Sequence, residues 1–154
     1  MSSPEPECAC GIKTSMGLNI INVCIVVLSF IGLISTFTGA AGAPSLVGVD
    51  AEGAATVFIT LSALSTLISL AYGILGLWSV RSLEMEKVAM YEKATKAYAA
   101  LNLIYIIVLG ILGTIGGTPG WLFGTIVTGF IYGAFFYMVF RMTKSFQRWL
   151  GTLE

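Results

Sequence analysis

Three stretches of this chain contain no aspartate, glutamate, lysine or arginine: residues 14–49, 53–80 and 97–140, which are 36, 28 and 44 residues long. A helix crosses the hydrocarbon of a bilayer with roughly 20 apolar residues. The first two runs therefore each hold one span, and the third is long enough for two. "GTIGGTPGW" interrupts that third run, and Gly116, Gly117, Pro119 and Gly120 supply turn chemistry where the chain must reverse. The reading is an all-α integral membrane four-helix bundle, one domain over residues 1–154, with spans near 15–38, 54–80, 97–115 and 121–141. Composition agrees, since 10% of residues are charged against roughly 25% in soluble domains. The first span is longer than the roughly 7–15-residue apolar core of a signal peptide, and an acidic "PEPE" precedes it. It reads as a retained span.

The basic residues set the expected orientation. Lys13 precedes span one, Arg81, Lys87, Lys93 and Lys96 lie between spans two and three, and Arg141, Lys144 and Arg148 follow span four. All eight fall on one side of a four-span chain. By the positive-inside rule both termini should face the cytoplasm, or the matrix or stroma of an organelle. An even number of spans returns the chain to the same side, which agrees independently. Trp78 and Trp121 fall at aromatic-belt positions near the two interfaces.

Residues 1–14 form a short inner leader, and 39–53 a small-residue outer loop. Residues 81–96 are rich in helix formers, with Glu84–Lys87 and Glu92–Lys96 at helical spacing. They are expected to form an inner stalk leading into span three, with Met90, Tyr91, Ala94, Ala97 and Tyr98 on one side. The tail 141–154, "RMTKSFQRWLGTLE", is amphipathic. Met142, Phe146, Trp149, Leu150 and Leu153 make an apolar stripe, and Arg141, Lys144 and Arg148 face the other way. Such a helix suits the inner membrane surface, drawn to anionic lipid. The alternative is that the stripe docks on another protein or on the stalk.

The chain contains no histidine, which excludes His-ligated haem or zinc and His-based triads within it. No acid or base lies inside a span, whereas ion-coupled transport generally needs one at membrane depth. No phosphate loop or nucleophile elbow is present. The expectation is a non-enzyme with no catalytic residue, no metal and no cofactor, and with no nucleic-acid partner.

What remains are packing, anchoring and docking signals. Asn19, Asn22 and Asn102 lie at similar depths, with Tyr72, Tyr105 and Tyr137 in the same inner half. They are candidates for a polar layer joining spans one and three, either as interhelical glue or as a lipid-headgroup or solute site. Ser65, Ser69 and Gly73 form a small-residue ladder on span two. Gly113/Gly117, Gly120/Gly124 and Gly129/Gly133 repeat at intervals of four. Such spacing lets helix backbones approach closely, either within this bundle or against a partner helix. Cys8 and Cys10, beside span one in a reducing compartment, are candidate lipidation sites rather than a disulfide.

The entry "CACGIKTSMGLNIINVCIVVLSFIGLI" resembles the start of the lysosome-associated four-span proteins. There a cysteine-rich inner leader meets a basic residue, then Thr and Gly, then the first helix. The matching positions are Cys8, Cys10, Lys13, Thr14 and Gly17, and the four-span layout is also similar. The resemblance implies a trafficking role in vesicle or endolysosomal membranes. The residues themselves point first to a structural or accessory subunit of a larger membrane assembly. A passive lipid or small-solute transporter is a third reading. Expected partners are membrane lipids and other membrane subunits, in an endomembrane or an organellar inner membrane.

Overall fold

A computed structural model describes residues 4–7, 11–39, 52–115 and 120–153. These form four helices: α1 (Thr14–Gly39), α2 (Glu52–Ser82), α3 (Met85–Ile115) and α4 (Gly120–Leu150). Each is long and apolar enough to cross a membrane. α1 packs on α2, α2 on α3 and α3 on α4, and a smaller contact between α4 and α1 closes the ring. The start of α1, the α2–α3 turn and the end of α4 share one end of the bundle, here termed the basal end. Met142 of α4 reaches Gly17 of α1 there, and Met85 of α3 approaches Gly151.

The stalk continues into the third span as expected, and the tail departs from the sequence reading by continuing the fourth. α2, α3 and α4 each have 31 residues, about 46 Å at 1.5 Å per residue. That exceeds a hydrocarbon thickness of roughly 30 Å by about three turns. In α3 and α4 the excess lies at the basal end, where residues 86–96 and 141–148 carry the charges. The expected stalk and third span are one uninterrupted helix, and so are the fourth span and the tail. Neither junction contains a glycine or a proline to break the helix.

The best-packed core is also basal. Leu18, Val80, Val88, Tyr91, Val139, Phe146 and Leu150 are buried together, whereas among the described residues the outer halves of the helices contribute little to the core. The tail stripe therefore does not lie on a membrane surface. Phe146 and Leu150 insert into the bundle, Met142 packs against it, and Trp149 stacks on Phe146 with ring centroids 5.6 Å apart. Leu153 lies beyond the helix and is exposed. The basic face does point outward. The Arg141 guanidinium lies 6.0 Å from the Tyr137 ring centroid, and Lys144 lies 3.8 Å from Glu92 of α3, which also pairs with Lys96 at 2.8 Å.

Two local devices hold the basal end. The leader folds back on α1: the Thr14 amide and hydroxyl donate to the Pro6 carbonyl (3.0 and 2.6 Å), and the Ser15 amide donates to Glu5 Oε1 (2.6 Å). A carboxylate there satisfies orphan amides and faces the positive end of the helix dipole. Gly11, at φ +73°, allows the reversal. Between α2 and α3 only Leu83 and Glu84 are non-helical. The Glu84 carbonyl accepts from Val88 to start α3, and its amide donates to the Ser82 hydroxyl at 3.3 Å. Leu83 takes φ +55° with its side chain exposed. A left-handed leucine costs roughly 1–2 kcal/mol, partly offset by the chain entropy that a glycine would lose on folding. Leu83→Gly is therefore expected to stabilise the bundle by about 0.5–1 kcal/mol, read as a higher melting temperature in mild detergent. An unchanged or lower value would show that this turn is not strained.

Candidate interhelical site

Above the basal core, three helices share a buried polar network. The Tyr91 hydroxyl of α3 donates to Asn22 Oδ1 of α1 at 2.9 Å. Having used its one hydrogen, Tyr91 accepts from Tyr72 of α2 at 3.1 Å. The Thr95 hydroxyl lies 3.0 Å from the Tyr72 hydroxyl and donates its own hydrogen to the Tyr91 carbonyl at 2.8 Å. The chain Tyr72→Tyr91→Asn22 has a single direction and ends where Asn22 Nδ2 donates to Leu18 O at 2.9 Å. Asn22 is 0% exposed. It has no access to water, so its hydrogen bonds depend on these neighbours.

Aromatic rings cap this layer. Tyr72 stacks between Tyr91 and Tyr98 with centroids 5.4 and 4.4 Å apart, and Phe136 of α4 meets Tyr98 edge-on at 5.3 Å. The Tyr98 hydroxyl donates to Ser69 of α2, whose own hydrogen goes to Ser65 O. Tyr98 and Phe136 also floor a cavity of about 500 Å³ lined by all four helices. Its walls carry Ser29, Ser65, Thr66, Asn102, Tyr105, Thr128 and Tyr132 among aliphatic and aromatic side chains. No acidic or basic side chain lines it. The arrangement can hold a neutral molecule by hydrogen bonds and apolar contact, and it contains no acid–base pair or nucleophile–base pair.

The expected polar layer is thus split by the fold. Asn22 and Tyr72 meet through Tyr91, and this does join α1 to α3. Asn102 donates to Tyr98 O in its own helix at 2.9 Å and, like Tyr105, lines the cavity above. Asn19 faces a separate shallow cleft with Met16 and Val23, and its Oδ1 is buried without a partner. Tyr137 is 63% exposed and belongs to neither level. Tyr91, Thr95, Tyr98 and Tyr132 were not singled out as polar groups. The signal was present on α3, where Tyr91, Thr95 and Tyr98 recur at i, i+4 and i+7.

The small residues divide in two. A Cβ on Gly73 would lie 3.3 Å from Asn22 O, and one on the neighbouring Gly76 would overlap the Asn22 carboxamide, so α1 and α2 pack closely there. Gly124 and Gly133 face open space, and Gly129 would make only an ordinary 3.9 Å contact with Ile106. Among the described residues, none of these three brings another helix backbone close. Gly113 and Gly120 lie in helical segments whose packing is not described, and Gly117, Cys8 and Cys10 lie outside the described residues. Among the described residues no acidic and cysteine side chains group as metal ligands. No family model, no curated protein and no solved structure matches this chain.

Proposed function

We propose that this chain is a non-catalytic accessory subunit of a larger membrane assembly, binding a transmembrane helix of another subunit in the groove between α3 and α4. The observation that carries this reading is the Gly129/Gly133 pair. Both glycines line an apolar groove of about 600 Å³ with Leu103, Ile107, Ile126 and Phe130, and a Cβ at Gly133 meets nothing. A glycine in a helix interior costs about 1 kcal/mol relative to alanine. Its usual return in lipid is the close approach of another backbone, which this chain does not make at either position. Phe130, 78% exposed, stands beside the groove as a projecting knob. The clustering of Lys13, Arg81, Lys87, Lys96, Arg141, Lys144 and Arg148 at the basal end supports a cytoplasmic, matrix or stromal location for that end.

The test is native electrophoresis of mild-detergent extracts. The wild-type chain should migrate in a complex of defined composition. Gly133→Leu should release it as a smaller species, while the melting temperature of the isolated chain stays within about 2 °C, as for a substitution costing under 0.5 kcal/mol. Migration of the wild-type chain as a monomer overturns the proposal.

A further inference from the structure

The central cavity is distinct from the α3–α4 groove and makes a different demand. Ser29 of α1 lines it, is 6% exposed, and its hydroxyl has no hydrogen-bond partner among the described residues. That is uncommon for a serine inside a spanning helix, which ordinarily donates to its own backbone four residues earlier, as Ser69 does here. Across the cavity, Asn102 uses its amide nitrogen on Tyr98 O, and its Oδ1 has no hydrogen-bond partner among the described residues. Gly32 meets Thr66 across the α1–α2 contact. In an antiparallel pair this sets Ser29 level with Ser69, which bonds Tyr98, one turn below Asn102. A donor and an acceptor from two helices thus stand within about one turn of each other in height, on facing walls above an aromatic floor.

The rest of the cavity defines what fits. Its other walls include Ile25, Leu28, Ile106 and Phe135, and the lack of a charged lining residue disfavours an ionic headgroup. Its volume falls within the roughly 300–1,000 Å³ of small-molecule sites. Leu28 of α1 and Ile131 of α4 line it and are also exposed on the bundle surface. The opening therefore lies between α1 and α4, the least tightly packed of the four neighbouring helix pairs. A molecule entering there comes from the bilayer.

We infer that this cavity is a binding site for a neutral membrane lipid bearing a free hydroxyl. The lipid hydroxyl donates to Asn102 Oδ1 and accepts from Ser29, and the lipid body leaves between Leu28 and Ile131. Sterols and diacylglycerols share this chemistry, and the experiment separates them.

The chain is reconstituted in phosphatidylcholine nanodiscs containing a photoactivatable sterol or a photoactivatable diacylglycerol. Expected is saturable labelling by at least one probe, competed by its unlabelled form and mapped to peptides containing Leu28 or Ile131. Asn102→Leu and Ser29→Ala should each reduce it about fivefold, the equivalent of one hydrogen bond near 1 kcal/mol. Ser29→Ala removes one oxygen and leaves the packing intact, so it reads the site even if Asn102→Leu fails to fold. Labelling confined to one probe supports the inference and names the lipid. Labelling by both supports a shared hydroxyl site. Labelling that is not competed, or that spreads over the lipid-facing surfaces of all four helices, overturns it, as does labelling unchanged in Ser29→Ala.

Discussion

Phe146→Ala is expected to destabilise the bundle by about 3–5 kcal/mol, the usual cost of deleting a buried aromatic ring, and to lower its melting temperature by about 10 °C. Phe146 is 0% exposed. It belongs to the basal core with Val88, Tyr91 and Leu150, and its ring stacks on Trp149. In the orientation proposed above this part of α4 lies past the hydrocarbon, so burial there removes apolar surface from water and gains the full hydrophobic term. Leu153→Ala, at an exposed position just past the helix, is the internal control and should change stability by less than about 0.5 kcal/mol. If the tail instead lay on the membrane surface, both substitutions would weaken lipid binding modestly and neither would unfold the bundle. Equal, small effects from the two variants would refute the packed tail.

Gly76→Ala is the second large effect, expected to cost about 2–4 kcal/mol through overpacking and lost hydrogen bonds. The added methyl would overlap the Asn22 side chain, which is fully buried and bonded to Tyr91 and to Leu18 O. Moving the carboxamide breaks the hydrogen bond that, among the described residues, ties α1 to the tyrosines of α2 and α3. Alanine's better helix propensity returns only about 1 kcal/mol. The same change at Gly133, where the methyl meets nothing, should be neutral or stabilising. Opposite signs for one substitution on two spanning helices identify steric placement as the cause. Adding Asn22→Ala to Gly76→Ala clears the overlap, so the two should be strongly non-additive. Additive losses would show that the clash is not the mechanism.

The residues differ in how much of this could be read in advance. Charge-free runs announce spans because an unpaired charge in hydrocarbon is costly wherever the neighbouring helices lie. The Gly–Pro cluster at 116–120 announces a reversal for a similarly local reason. Tyr91 and Asn22 carry no such mark. They are 69 positions apart, and each alone reads as a residue on one helix face. The tail was ambiguous for the same reason, because an apolar stripe of given periodicity fits a membrane surface and a helix bundle equally well. Gly73 and Gly133 make the point most directly. Each sits in a small-residue repeat, yet one presses on a neighbouring backbone and the other faces open space.

Helix number, span positions and the segregation of basic residues to one end follow from composition along the chain, since desolvation and positive-inside bias act on each segment separately. Which helices become neighbours, and which side chains therefore meet, depends on distances across the bundle. Hydrogen bonds and van der Waals contacts act over only a few ångströms, so Tyr91, the buried tail and the unpartnered hydroxyl of Ser29 acquire their roles only once four helices stand side by side.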